Sequence, residues 1–216
     1  MALVWAIVVA GGSGRRFGRL KQFELLAGRT VVERSVAACR PSAAGVVLVV
    51  PGSANFEFDY GADVVVEGGE TRAESVRNGL VVVPHEAEVI VVHDAARPLA
   101  SSGLFGSVVA AVAQSGVDGA IPGVPVSDTI KSIATRDGVT IVASTPERST
   151  LVAVQTPQAF RAEILRRAHA GGADATDDAA LVEALGGTVR VVQGEPRNMK
   201  ITTPADLRTA EHLLEA

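Results

Sequence analysis

Residues 2–16 read ALVWAIVVAGGSGRR. The nine residues from Ala2 to Ala10 are all apolar, and they give way abruptly to three glycines and two arginines. No positive residue precedes the run, and it is far shorter than the ~20 residues that cross a bilayer. It predicts a buried strand, not a signal peptide or membrane anchor. A run that is apolar at every position, rather than at alternate ones, belongs to a strand covered on both faces, as in a parallel sheet flanked by helices. The glycine turn that follows allows backbone to approach a phosphate or a base closely.

Downstream, β-branched runs alternate with helical patterns: TVVERSVAACR (30–40), VVLVV (46–50), VVV (64–66), TRAESVRNGLVVV (71–83), EVIVVHD (88–94) and a helix near Leu104 to Gln114. Repeated βαβ units predict an α/β fold with a mainly parallel, Rossmann-like sheet and helices on both faces. Thr30-x-x-Glu33 and Thr71-x-x-Glu74 read as capping boxes. Thr203, Pro204 and Asp206 open a last helix in a similar way. The pattern changes between Val124 and Ala153, where Thr129 to Ile133 and Val139 to Val142 read as two strands joined by a turn at residues 136–138. This is a projecting β-hairpin arm, and a lone two-stranded ribbon needs a partner surface. Helices near Ala162 to Ala170 and Asp177 to Leu185 and a strand from Val189 to Val192 follow.

With 216 residues, at about 100 to 200 residues per domain, a single domain over 1–216 with the arm inserted at about 124–153 is expected. Apolar residues make up 47%, charged residues 20%, and mean hydropathy is +0.28, which excludes global disorder. The net charge of −4 argues against a protein that coats nucleic acid or anionic membrane. Cys39 is the only cysteine, so no intrachain disulfide or cysteine-built zinc site can form. A reducing cytoplasm is the expected location.

In an open parallel sheet, ligands bind beyond the C-terminal ends of the strands. Three loops therefore stand out. The first carries Gly11, Gly12, Gly14, Arg15, Arg16, Arg19 and Lys21. It is not a dinucleotide fingerprint, because Phe17 occupies the last glycine position, and no Gly-Lys-Ser/Thr of a P-loop occurs. The second is GGETRAES (68–75), a Gly-Gly turn before a helix N-terminus with free N–H groups. The third is HDAARP (93–98), where Asp94 can organise a divalent cation on a nucleotide and Arg97 can fork a phosphate. His93 reads as a packing or hydrogen-bonding residue. Weaker candidates are SDTIK (127–131), Arg148, QTPQ (155–158), TDD (176–178) and NMKIT (198–202).

Taken in order, GGETRAESV, HDAARP, VSDTIK, TPQAF, TDDA and NMKITTP resemble the 2-C-methyl-D-erythritol 4-phosphate cytidylyltransferases over nearly the whole chain. The resemblance implies a homodimer joined through the arm. It also implies transfer of CMP from CTP to the phosphate of methylerythritol phosphate with release of pyrophosphate, in the non-mevalonate isoprenoid route, with Mg²⁺ or another divalent cation as cofactor. It assigns triphosphate binding and catalysis to Arg16 and Lys21, with Lys200 near the transferred phosphate. Ala10, Gly11, Gly12, Gly69, Glu70, Ser75 and Ala95 fall where the nucleotide is read. Asp94 matches the metal-associated aspartate. Arg97, Thr129, Arg148, Thr156 and Thr202 fall in the second substrate's site, the arm residues being supplied by the other subunit. Leu20 stands where proline is usual, and the loop from Arg16 to Lys21 is shorter than the family pattern. A fused cyclodiphosphate synthase is not expected. The closest rival reading is a ribitol 5-phosphate or other sugar-phosphate cytidylyltransferase; a non-catalytic nucleotide-binding module and a nicotinamide dehydrogenase are the alternatives from other classes.

Overall fold

A computed structural model describes residues 2–12, 14, 16–54 and 58–215. The chain runs β1 (Val4–Val9), a 3-10 turn at Lys21–Phe23, the hairpin of β2 (Leu25–Leu26) and β3 (Arg29–Thr30), α1 (Val31–Cys39), β4 (Gly45–Val50), β5 (Val64–Glu67), α2 (Arg72–Val82), β6 (Val89–Asp94), α3 (Ser102–Val112) and β7 (Gly119–Pro125). It continues through β8 (Ser132–Arg136), β9 (Val139–Ser144), β10 (Val152–Val154), β11 (Gln158–Arg161), α4 (Ala162–Ala170), α5 (Asp178–Ala184), β12 (Val189–Gln193) and α6 (Pro204–Glu215).

β1 lies between β4 and β6, parallel to both, with Ile7 level with Val47 and Val92. Beyond β4 comes β5, also parallel. On the other side β6 pairs antiparallel with β11, β11 with β7, and β7 in parallel with β12. The sheet is therefore mainly parallel, with β10 and β11 reversed.

Because side chains alternate across a strand, the apolar runs feed two cores. Ala6 and Val8 of β1, Val46 and Leu48 of β4 and Val91 of β6 pack with Val32 and Val36 of α1 and Phe105 and Val108 of α3. Ile7, Val47, Val49, Ile90 and Val92 point the other way, against Val76 and Leu80 of α2, Leu165 of α4 and Val182 of α5. Both faces are covered, as the unbroken apolar runs require. In α2, Gly79 lets the helix settle on β1: a Cβ there would lie 2.8 Å from an Ile7 methyl.

β10 and β11 form one antiparallel segment beside β7 with an irregularity in the middle. Val154 pairs with Gly123 and Ala159 with Ala120, so five steps on one strand oppose three on the other. The two extra residues are taken up between Gln155 and Pro157, which brings the Thr156 hydroxyl against the C-terminal end of β6. This is how an interrupted edge strand contributes to a site.

Three details differ from the sequence-based expectations. The arm's first strand is Ser132–Arg136 rather than 129–133, because the turn is the two-residue Asp137-Gly138 with both φ positive (49° and 77°), the backbone a type I′ hairpin needs. The arm's base is part of the main sheet, since Val152 pairs with Pro125. Thr30 and Glu33 form a complete capping box, but Thr71 and Glu74 form only half of one. Thr71 accepts from the Glu74 N–H, while the Glu74 carboxylate accepts from the Glu70 N–H at 2.7 Å.

Candidate active site

The loops after β1, β5 and β6 leave the sheet side by side. The Ala10 N–H donates to Val49 O, the Gly68 N–H to Val50 O and the Ala95 N–H to Val9 O. Gly11 and Gly68 meet so closely that a Cβ on Gly68 would lie 3.4 Å from the Gly11 Cα and 2.9 Å from Ser75 Oγ. Ser75 fastens this wall, its hydroxyl donating to Thr71 O and accepting from the Gly69 N–H. The glycine turn is closed at Gly14, where φ is +67° and a side chain would collide with Arg19 O. Ser13 and Arg15 of that turn lie outside the described residues.

A cavity of about 510 Å³ opens between these loops. Ala10, Gly11, Gly12, Gly69, Glu70, Ser75 and Ala95 line it, together with Arg16, Lys21, Asp94 and Lys200. Burial pushes the Lys21 ammonium below its ordinary value, and the positive charges of Lys200 and Arg16 push it the same way. Three cations thus crowd one end of the cavity, the arrangement a polyphosphate would relieve.

A second cavity of about 250 Å³ shares Arg72, Asp94 and Lys200 with the first and adds Arg97, Thr156, Gln158, Thr176 and Asp177. At the shared wall Lys200 Nζ lies 2.6 Å from Asp94 Oδ2 and Arg72 Nε 3.1 Å from Asp94 Oδ1. Burial alone would raise the Asp94 carboxyl, but these two cations outweigh it and hold it well below the usual carboxylate range. Asp94 is an anion at any ordinary pH.

The bulge supports this wall. The Thr156 hydroxyl accepts from the Asp94 N–H at 3.0 Å and donates to His93 Nδ1 at 3.1 Å, while His93 Nε2–H donates to Arg97 O. One tautomer satisfies every member. Burial lowers the His93 pKa to about 4, so the ring stays neutral and acts as a spacer. Gln155 donates to Glu195 O and accepts from the Glu195 N–H, Asn198 Nδ2 donates to Thr156 O, and Arg97 donates to Asn198 O. With Ile201 N–H bonded to Ala96 O, the loop that carries Lys200 is tied to the loop that carries Asp94.

Two cavities meeting at a carboxylate bracketed by cations, above the C-terminal ends of a parallel sheet, offer room for two anionic ligands side by side. Comparison with known proteins gives the same direction. Residues 4–216 match the family model described as 2-C-methyl-D-erythritol 4-phosphate cytidylyltransferase. The chain belongs to this family. It is 46% identical over 220 residues to the 2-C-methyl-D-erythritol 4-phosphate cytidylyltransferase of Rhodococcus jostii, covering 98% of this chain and 95% of that protein. It is 44% identical over 225 residues to the bifunctional enzyme IspD/IspF of Anaeromyxobacter dehalogenans, covering 99% of this chain but only 57% of that longer protein. The crystal structure of the cytidylyltransferase from Thermus thermophilus superposes with a TM-score of 0.81 at 36% identity, covering 97% of this chain and 98% of that one.

Of the cytidylyltransferase positions named from sequence, Arg16, Lys21, Lys200, Asp94 and the backbone set come together in the first cavity. Arg97 and Thr156 lie in the second. Thr202 lines neither; its hydroxyl donates to Lys200 O and its N–H to Asp206. Thr129 and Arg148 do not reach the site of their own chain. Arg148 donates to Ser127 O and lines a separate hollow at the base of the arm.

Two residues of the site were missed. Arg72 opens α2, where a cation opposes the helix dipole; that mismatch was the available signal. Gln22, buried, donates to Ala10 O at 2.7 Å and Gly12 O at 3.1 Å and so locks Lys21 against the glycine turn despite the short loop. Gln22→Leu should leave two carbonyls unpaired and cost about 1 to 3 kcal/mol. A lower melting midpoint with weaker ligand binding in the first cavity is the expected result; unchanged binding would show that the turn holds itself.

Proposed function

We propose that the protein transfers CMP from CTP to 2-C-methyl-D-erythritol 4-phosphate, giving 4-diphosphocytidyl-2-C-methyl-D-erythritol and pyrophosphate. The observation that carries this reading is the pair of cavities meeting at Asp94, Arg72 and Lys200. One is large enough for a nucleotide and floored by glycine backbone; the other is smaller and polar.

In the reaction an oxygen of the substrate phosphate attacks the α-phosphorus of CTP, a new P–O bond forms, and the bond to the β-phosphate oxygen breaks. The attacking group is already an anion, so no general base is needed. The difficulty is bringing like charges together in line, which fixed cations relieve. Arg16 and Lys21 would hold the triphosphate, and Lys200 would lie where both substrates' phosphates meet. The backbone of Ala10, Gly11, Gly12, Gly69 and Glu70 would read the cytosine and ribose, with Ala95 beside them. Arg97 and Thr156 would face the methylerythritol phosphate.

Among the described residues no group of three or more His, Cys, Asp or Glu could hold a metal unaided. Asp94, held ionised at the wall the two cavities share, suits an ion that takes most of its ligands from phosphate oxygens, as Mg²⁺ does. Asp94 would hold it through lone pairs left beside its bonds from Arg72 and Lys200, and the ion would neutralise triphosphate charge.

The arm supports a homodimer. Among the described residues β8 and β9 pair only with each other, yet Ile133, Val139 and Val142 are 67%, 60% and 59% exposed. A second copy would bury them and bring Thr129 and Arg148 to the neighbouring site. Among the described residues no helix is long and apolar enough to cross a membrane, and Cys39 is a buried free thiol; both suit a cytoplasmic enzyme.

The test is pyrophosphate release from CTP with methylerythritol phosphate, with ribitol 5-phosphate, or with neither, repeated with ATP and with excess chelator. Turnover only for CTP with methylerythritol phosphate, abolished by chelator, is expected. Faster turnover with ribitol 5-phosphate would move the protein to the rival substrate, and none with any acceptor would leave a nucleotide-binding module.

A further inference from the structure

The proposed chemistry gives no part to a buried carboxylate behind the site. Asp178, the first residue of α5, is 1% exposed. It accepts from His169 Nε2–H at 2.9 Å through Oδ1 and from Arg72 Nη1 at 2.7 Å through Oδ2. Burial would raise its carboxyl, but the hydrogen bond from His169 and the charge of Arg72 prevail and hold it below the ordinary value. Its far side is thus continuous with the site, in a row of alternating partners: His169, Asp178, Arg72, Asp94, Lys200.

The use made of the Arg72 guanidinium is the informative part. Nε and Nη2 share the edge that matches a carboxylate with two parallel bonds. Nε reaches Asp94 Oδ1, but Nη2 is buried with no hydrogen-bond partner among the described residues. The second Asp94 oxygen is engaged by Lys200 instead. A buried donor without a partner is expensive, so something must keep Arg72 from closing on Asp94 with both groups. The contact that does so is Nη1 with Asp178, which draws the guanidinium the other way.

We propose that Asp178, with His169 behind it, is a positioning residue for nucleotidyl transfer: it restrains Arg72 to a single bond with Asp94 and thereby reserves the second Asp94 oxygen for Lys200. Lys200, 41% exposed at its side chain, has no other anchor for its ammonium group among the described contacts. Without the restraint the Arg72 fork takes both oxygens and Lys200 drifts from the wall where the cavities meet. The inference rests on the cytidylyltransferase reading above.

Asp178→Asn keeps the shape and removes the charge. It should lower kcat about tenfold, the scale of a modest misplacement at a reacting centre. KM for CTP should stay level or fall, because one negative charge fewer leaves the cavity more positive. Arg72→Gln removes the competing fork, so in that background Asp178→Asn should change kcat no further. His169→Leu should act like a weaker Asp178→Asn, and His169→Gln, which restores an N–H donor, should recover kcat. Melting midpoints are recorded for each variant, and the His169 pair carries the test if an Asp178 variant does not fold.

Independent, multiplicative losses in the double variant, or a lowered melting midpoint with unchanged kcat, would overturn the proposal while leaving the enzyme reading intact. A wild-type chain that does not turn over CTP and methylerythritol phosphate would overturn the enzyme reading and this inference with it.

Discussion

Lys200→Ala is expected to raise the barrier to nucleotidyl transfer by about 2 to 4 kcal/mol, the range for losing one preorganised charge donor. The loss should fall on kcat more than on KM for CTP, because Lys200 stands at the wall the two cavities share. The fold should hardly notice. Asp94 keeps its bond from Arg72, so no buried carboxylate is orphaned. Lys21→Ala should show a comparable loss of kcat/KM but a gain in stability. Lys21 is held below its ordinary pKa by burial and by Lys200 and Arg16. A cation whose folded-state pKa is depressed is charged against resistance at neutral pH, where the unfolded chain charges it freely. Removing it should raise the melting midpoint, a trade of stability for function often seen where like charges are gathered to bind an anion. Steady-state kinetics and a thermal melt on each variant check both halves. Near wild-type turnover in Lys21→Ala would mean that Gln22 anchors a lysine the reaction does not use.

Mixing two inactive variants should restore activity. Arg16 lies in the cavity of its own chain, whereas Arg148 lies at the base of the arm. If a two-fold dimer brings Arg148 to the neighbour's site, Arg16→Ala and Arg148→Ala homodimers are each nearly inactive. A mixed dimer carries both lesions in one site and neither in the other. After random reassociation of equal amounts, about half the dimers are mixed and each has one good site of two, so recovery to about a quarter of wild type is expected. Subunit exchange is verified independently with a mass-tagged chain. Exchange without recovery would place Arg148 in its own chain's site.

The parts of the fold legible in the sequence were those whose signal is local. β1, β4 and β6 are continuous apolar runs, and α1 carries its own cap. β11 was not legible. Gln158–Arg161 has four residues and neither an apolar run nor alternation; it is a strand because β6 and β7 offer it two ladders. β7 was obscured by Pro122 and Pro125, which speak against a central strand. It tolerates Pro122 in part because the ladder there uses that residue's carbonyl, which accepts from the Gln155 N–H. In the site, Asp94 followed from the strand-end rule and Lys200 from the motif around it. Asp178 could not be given a role, because its contact with Arg72 joins positions 106 residues apart and no local pattern encodes it; His169 reaches the site only through Asp178.

β11 also fixes the order in which the molecule can be assembled. β1, β4, β5 and β6 can pair as soon as residue 94 has been made, but the other edge of β6 is covered only by Gln158–Arg161. During synthesis the edge of Val89, Ile90, Val91 and Val92 therefore stays open while the whole arm is added. An open apolar edge is a template for pairing with another chain, and ladders between distant segments close slowly. The arm is thus a delay built into the growing chain. A nascent chain halted within it presents a half-sheet with the apolar edge of β6 bare, the species on which a chaperone would be expected to act.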